Sequence, residues 1–427
     1  MKKTILLLIL PIFSFAQNYI GLHADNYKGV HGVLFNPSSI VNSPFKTDIN
    51  ILGASLSADN NIYNLSINTD FDDVSLSDFS DDSNLYFNTD FLGPAFMMNI
   101  NKNNSIAIYT RARVFFNGND INGELFDSFF DDFSDNPSFD ISEDGFNVIG
   151  HSWGEIGFSY ATVILNKPEH KITAGVTLKY LQGLGSASIS SNDFRVAYND
   201  NTNTVNTSGE LTYYSTFDVS DDDFDIASAN GLATDFGFTY EWKKVNIEES
   251  TNNVSNYKLK FGLSIMDIGH IKYEMFEHKQ YLANNTNIDE SVFDDEDLQD
   301  IFDSLYTSID LEKKVKVNLP TSMNLQADWN INNKLFMNVF SNISLVSNDD
   351  NRSTKMVNNY ILTPRFETKI FSAQLPFTYS SFENFKVGFG LRLGPFYVGS
   401  GSLFTNLLKS DSKTADAYIG MKIPIYK

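Results

Sequence analysis

From about residue 45 onward, apolar residues alternate with polar or small ones over long stretches. In 171–181 the apolar set is Ile172, Ala174, Val176, Leu178 and Tyr180, with Lys171, Thr173, Thr177 and Lys179 between them. In 258–266, Leu259, Phe261, Leu263 and Ile265 face away from Lys258, Lys260, Gly262 and Ser264. Segment 385–394 sets Phe385, Val387, Phe389, Leu391 and Leu393 against Lys386, Gly388, Gly390, Arg392 and Gly394. The last segment sets Ala417, Ile419, Met421, Ile423 and Ile425 against Tyr418, Gly420, Lys422 and Tyr426. A period of two gives a strand one apolar and one polar face. Strands are expected near 46–57, 61–69, 91–101, 104–116, 151–165, 170–183, 231–242, 257–267, 315–329, 334–345, 357–371, 375–382, 385–394 and 415–426. Residues 395–401 continue one of these or add a short strand. The total is about fourteen, and bacterial membrane barrels have an even number.

A soluble sandwich alternates as well, so three further features carry the choice. The segments run to roughly 9–13 residues, the length of a tilted membrane strand rather than the usual ~5–6. Lysine, arginine and glycine sit well inside the polar faces, as a wet lumen requires. Trp153, Trp242, Tyr273, Trp329, Tyr379, Tyr397 and Tyr426 lie near segment ends and are expected in interfacial girdles. The class expected is all-β, a transmembrane antiparallel barrel with outer-membrane lipid around it.

The first residues read as a secretory signal peptide over 1–16. Lys2 and Lys3 precede the apolar run Ile5–Phe13, and Ser14-Phe15-Ala16 supplies the small residues before a cleavage point. Outer-membrane localisation follows. The formal charge of −22 is −22 − 2 = −24 without the two leader lysines, which excludes a general nucleic-acid binder. With no cysteine in the chain, stability rests on pairing and packing.

The connections are unequal. Short ones, at 101–104, 166–169 and 330–333, read as periplasmic turns. The long ones, roughly 70–90, 117–150, 184–230 and 277–314, read as extracellular loops and carry most of the acid. Asp70, Asp72, Asp73, Asp81 and Asp82 lie in the first, and no lysine or arginine occurs between Arg113 and Lys167. Cation bridging and plain solubility both account for this acid. No EF-hand spacing is present, so no metal site is assigned. Residues 294–305 place Leu298, Ile301, Phe302 and Leu305 at the spacing of a short amphipathic helix.

Catalytic constellations are scarce. The six histidines show no zinc spacing, and there is no nucleophile elbow. His151-Ser152 imitates a Ser–His pair, but neighbours on a strand point to opposite faces. No enzyme activity and no cofactor are expected.

One stretch does not alternate. Residues 17–45 carry Gly29, Gly32, Asn36-Pro37-Ser38 and Pro44 directly before the first strand. Proline fixes φ and lacks an N–H, so this stretch cannot join a ladder. Two readings stay open: a hatch inside the barrel, or an ordinary periplasmic tail. As a hatch, its carbonyls have candidate lumen-facing partners in Arg111, Arg113, Lys179, Lys260, Arg392 and Lys422. Residues 46–427 form the barrel.

A Gly-rich stretch ending in Asn-Pro-small before a first strand resembles the FadL-like outer-membrane transporters and their Bacteroidota relatives, including PorV-like secretion barrels. "GLATDFGFTYEW" at 231–242 and "LKFGLSIMDIGHIKY" at 259–273 resemble paired strands of that superfamily. "LGPAFMMN" at 92–99, "LPTSMNLQADW" at 319–329 and "LTPRFE" at 362–367 are similar to the family of unknown function DUF5723. The resemblance implies a fourteen-stranded barrel with an N-terminal hatch. It implies one of two functions: a channel for a small, hydrophobic ligand, or a structural barrel that holds a secretion-system protein by its loops.

Overall fold

The computed structural model describes residues 19–62, 64–66, 83–123, 137–143, 145–217, 229–243, 257–295, 298–347, 350–382 and 384–427. Residues 1–16, read above as a signal peptide, and the acidic run at 70–82 lie outside the described residues.

Fourteen antiparallel strands close into a barrel. The wall runs through Phe45–Asn60, Ser83–Asn99, Asn104–Ile121, Phe146–Asn166, His170–Asn199, Ala229–Lys243 and Tyr257–Glu274. It continues through the split strand Lys314–Asn318 and Ser322–Asn330, then Leu335–Ser344 and Asn359–Glu367. Two more split strands follow, Phe371–Gln374 with Phe377–Ser380 and Lys386–Val387 with Phe389–Leu393. Phe396–Ser400 and Thr414–Tyr426 complete it. Closure is by pairing of the first strand with the last, from Phe45 opposite Tyr426 to Asp59 opposite Thr414. A closed ladder leaves no strand edge unpaired, which is the condition for crossing lipid with strands. No helix among the described residues is long and apolar enough to span a membrane.

The outward faces are apolar. Leu178, Phe238, Phe261, Leu263, Val339, Leu362, Ile419 and Ile423 are exposed, while Thr177, Lys179, Lys386, Arg392 and Lys422 on the alternate positions are buried inside. An apolar outer band around a polar interior is the arrangement of a wall facing hydrocarbon.

Two expected details change. Residues 61, 62 and 64–66 belong to no strand. Asn60, the last paired residue, accepts from the Ile62 N–H through its Oδ1 at 2.8 Å, and Asn64 Oδ1 from the Ser66 N–H at 2.9 Å, so each asparagine closes a local turn beyond the strand. Phe396–Ser400 is a strand of its own, and these two differences leave the count at fourteen. The girdle reading also fails for three residues. Trp242, Trp329 and Tyr379 are exposed, but Trp153, Tyr273 and Tyr397 are buried in the lumen. Position within a segment did not decide this; parity did for Trp153 and Tyr397, and a break of phase at Met266–Asp267 did for Tyr273.

The stretches read as loops 184–230 and 277–314 contain strands. His170–Asn199 runs on past the wall and pairs with Phe139–Glu143 on one side and Thr204–Ser215 on the other. Glu277–Leu282 joins Thr204–Ser215, and Thr307–Asp310 joins Glu277–Leu282. This outer sheet has its own core, including Val196, Val205, Leu211 and Tyr281. The helix Leu298–Leu305 packs Ile301 and Phe302 into it, as the apolar spacing predicted.

The phase of the wall is open to measurement. Leu263→Lys places a charge on the outer face and should cost about 2–4 kcal/mol near the hydrophobic midplane. Leu263→Phe should cost under ~1.5 kcal/mol. Urea unfolding of the barrel in lipid vesicles reads both; equal stability of the two variants would reverse the assigned faces.

Candidate functional site

Residues 19–44 lie inside the barrel. Their hydrogen-bond partners come from strands all round the wall, and only an enclosed segment meets opposite staves at once. Three 3₁₀ turns, Leu22–Ala24, Gly29–Leu34 and Pro37–Asn42, make up most of it. Such backbone is tolerable at membrane depth only where wall side chains satisfy it.

Asn36-Pro37-Ser38 explains its own composition. The Asn36 side chain caps the last turn: its Oδ1 accepts from the Ser38 N–H at 2.9 Å and from the Ser38 hydroxyl at 2.6 Å. Its Nδ2 donates outward to the Phe238 carbonyl at 3.0 Å and the Leu263 carbonyl at 3.3 Å. An amide serves both needs; a carboxylate has no donor for the second. Pro37 holds the first position of the turn, where a missing N–H costs nothing. The Ser38 hydroxyl also meets Thr239 Oγ1 at 2.7 Å. Pro44 directly precedes the first strand, where its missing N–H likewise breaks no ladder bond.

The tripeptide rests on glycines. Gly175 and Gly237 are cross-strand partners, and Gly262 sits one strand further round. A Cβ on Gly175 would stand 2.5 Å from the Pro37 carbonyl carbon and the Ser38 nitrogen. One on Gly237 would collide with Asn36 Oδ1, and one on Gly262 would lie 3.3 Å from Asn36 Nδ2. The wall is bare here so that another backbone can approach.

All six lumen-facing cations predicted from the alternation are buried. Three reach residues 19–44. Lys422 Nζ donates to the Tyr27 carbonyl at 2.5 Å and Lys260 Nζ to Asn26 Oδ1 at 2.6 Å. Arg392 Nε pairs with the Asp25 carboxylate at 2.9 Å. The other three make no hydrogen bond or ion pair with it. Arg111 is paired with Asp90, with its Nε 2.8 Å away, and faces Glu155 at 3.4 Å. Arg113 binds Asp267 at 2.8 Å, and Lys179 lies between Asp235 at 2.8 Å and Asp267 at 2.6 Å. Of the six candidate partners for segment carbonyls, Lys422 alone takes that role, while Lys260 and Arg392 meet segment side chains. Wall acids neutralise the other three, Asp90 and Asp235 from the adjoining stave and Asp267 from further round the barrel, because a buried charge needs an opposite one.

Other anchors escaped the sequence reading. His31 Nε2 and the Tyr397 hydroxyl are 2.6 Å apart. Asp48 accepts from the Val30 N–H at 2.8 Å. Glu367 takes the Asn26 N–H at 3.0 Å and is held by Arg365 Nε at 2.9 Å. Parity marks Arg365 and Glu367 as inward, as it does for the six cations. Their partners on the segment follow no period, so nothing in the sequence pairs them. His151 and Ser152 do part company: His151 Nε2 lies 3.1 Å from the Tyr273 hydroxyl in the lumen, and Ser152 Oγ donates to the Gly185 carbonyl at 3.3 Å.

Two lumenal cavities flank the segment. The upper, of about 70 Å³, is lined by Asn88, Arg113, Asn342 and Asn359 among others. The lower, of about 220 Å³, is lined by Lys28, Asn42, Lys171 and Glu241 among others. Phe35 and no other residue of the segment lines both. Its carbonyl is fixed by Ser264 Oγ at 2.6 Å and Asn324 Nδ2 at 2.9 Å.

Docking of the segment can be weakened without touching the ladder. Asn36→Ala removes both its cap and its wall bonds and should cost roughly 2–3 kcal/mol of docking stability. Gly175→Val should displace residues 36–38 outright. Hydrogen exchange at the Ser38 and Asn36 amides, with retained heat-modifiable migration of the barrel, is the measurement. Unchanged protection in Gly175→Val would refute the packing described.

Among solved structures, the toluene transporter TbuX of Ralstonia pickettii matches at 11% identity and TM-score 0.43, covering 97% of this chain and 99% of that chain. The Pseudomonas putida toluene transporter TodX matches at 9% identity and TM-score 0.37, over 97% and 96%. A Pseudomonas aeruginosa FadL homologue matches at 8% identity and TM-score 0.28, over 96% and 98%. No curated protein matches. The model of the family of unknown function DUF5723 matches residues 37–401, from the proline of the docked tripeptide to the end of the thirteenth strand, and the chain belongs to that family.

Proposed function

We propose that this chain is an outer-membrane barrel that passes a small solute, with residues 19–44 as its hatch. A closed barrel with an apolar outer wall supports the membrane placement. The observation that carries the channel reading is the position of Phe35. One aromatic ring lines a cavity on each side of the segment, so its displacement joins the two halves of the lumen. The segment is held by hydrogen bonds, ion pairs and apolar packing rather than by a ladder, and side-chain contacts exchange more readily than strand pairing. Aromatic lining by Phe35 and Phe340 supports the apolar part of a ligand.

A second reading, an accessory barrel that holds a protein partner, draws its support from the outer sheet. That sheet extends beyond the wall and packs its own core against the helix Leu298–Leu305.

The absence of cysteine makes the hatch simple to lock. Ser38 Oγ and Thr239 Oγ1 are 2.7 Å apart, so Ser38→Cys with Thr239→Cys places two thiols within bonding reach. Oxidised protein in planar bilayers should show solute-dependent conductance reduced at least tenfold, and dithiothreitol should restore it. Conductance that is identical in both states would discard the hatch and leave the accessory reading.

A further inference from the structure

The lower cavity carries more positive charge than its own acids neutralise. Four lysines line it: Lys28 from the segment, and Lys171, Lys243 and Lys260 from the wall. Lys260 belongs to a balanced group, since Asp328, at 3.7 Å, and Glu367 together face Lys260 and Arg365. The other three lysines share a single lining carboxylate, Glu241. Lys28 is buried, yet its Nζ donates only to the His23 carbonyl at 2.9 Å and the Asp25 carbonyl at 3.3 Å. Lys243 Nζ likewise meets neutral oxygens, Asn166 Oδ1 at 2.6 Å and the Lys167 carbonyl at 3.4 Å. Lys171 stands opposite Glu241 on the next stave, and among the described residues the two form no ion pair. Two positive charges are left over. An ammonium buried without a carboxylate is costly until an anion joins it.

These groups open onto usable space. Lys171 shares its parity with Thr173, which meets the Ser38 carbonyl, and Glu241 with Thr239, which meets the Ser38 hydroxyl, so both point into the lumen. Lys171, Glu241 and Lys243 are only half-buried. The cavity reaches past them to Asn166, beside the short turn at 166–169. Its volume of about 220 Å³, at ~10–15 Å³ per enclosed water, admits roughly fifteen waters or more. That is ample for a phosphate group and part of its hydration shell. In a chain of formal charge −22, this concentration of ammonium groups is a local feature and not a property of the whole surface. An excess of two charges matches phosphate, which carries about −1.5 to −2 at neutral pH and presents several strong acceptor oxygens. A carboxylate would cancel half of it.

We infer that the lower cavity binds a phosphate group, free or as a small monoester, through Lys28, Lys171 and Lys243. Lysine serves phosphate as a point charge, and these three approach from the segment and from two staves of the wall. Phe35 lines the same cavity and offers an apolar wall to the organic part of an ester. The inference names the solute class of the channel reading, and rests on that reading only for the route in and out.

The test uses the full-length barrel purified in detergent, with titration calorimetry as the readout and inorganic phosphate, glycerol 3-phosphate and acetate as probes. At ~0.15 M salt at least one phosphate probe should bind, and acetate should bind roughly tenfold more weakly. Tighter binding of glycerol 3-phosphate assigns an ester, and tighter binding of phosphate the free ion. Lys171→Gln, at a half-buried residue with no ion pair to lose, should weaken phosphate binding roughly tenfold. Lys28→Met should weaken it by as much, with hydrogen exchange at the Ser38 amide reporting that the segment stays docked. No binding of either phosphate probe would overturn the inference. Binding that vanishes at that salt would overturn it too, as screened surface attraction, and so would acetate bound as tightly as phosphate. Binding unaffected by both substitutions would place the anion elsewhere and overturn it. Uptake of labelled phosphate into proteoliposomes separates this from the channel reading. Binding without uptake or conductance sinks the channel alone; solute-dependent conductance without binding sinks the inference alone.

Discussion

Everything in this molecule answers to one constraint: inside a closed β-barrel the wall has already used most of its backbone hydrogen bonds, so what lies in the lumen is satisfied chiefly by side chains. Residues 19–44 are irregular, and their amides and carbonyls need partners that water does not supply at this depth. The wall provides them from widely separated staves. Asp48 takes an N–H, Lys422 a carbonyl, Ser264 and Asn324 together the Phe35 carbonyl, and Glu367 the Asn26 N–H. The inward-facing polarity of the strands is thus a specific receptor for one stretch of the same chain.

The same constraint governs charge. The six inward wall cations are compensated in two ways. In the half near Arg392, Lys260 and Lys422, polar groups of the segment share the work with wall acids. Around Arg111, Arg113 and Lys179 the wall neutralises itself with Asp90, Glu155, Asp235 and Asp267. Removing one member of such a set strands its partner, which is far worse than removing both. Here the charges also fill the lumen and fix its shape, so the remaining space is divided into two cavities with Phe35 between them.

Close approach is the third expression of the constraint. Where Asn36-Pro37-Ser38 meets the wall, three glycines on adjacent strands clear the surface. Side chains there would hold the segment off, and Asn36 would lose the carbonyls of Phe238 and Leu263. The outer sheet answers a different need. Its strands leave the wall, so they carry their own apolar core and a helix to cover it.

Alternation determined the strands, their faces and the inward position of the cations, because period two is a property of each strand by itself, and segment length with charges inside the polar faces pointed on to a barrel. The prolines and glycines before residue 45 likewise marked a stretch unfit for a ladder, and the apolar spacing of 298–305 marked a helix. Register and closure are different in kind. Tyr273 looks inward because an irregularity near Asp267, set with the neighbouring stave, shifts the phase of its strand. Which acid meets Arg113, why Gly175 must lack a side chain, and that Phe35 divides two cavities depend on groups far apart in sequence. Those pairings exist only once the sheet has curled shut, since closure is what brings opposite staves to the same segment.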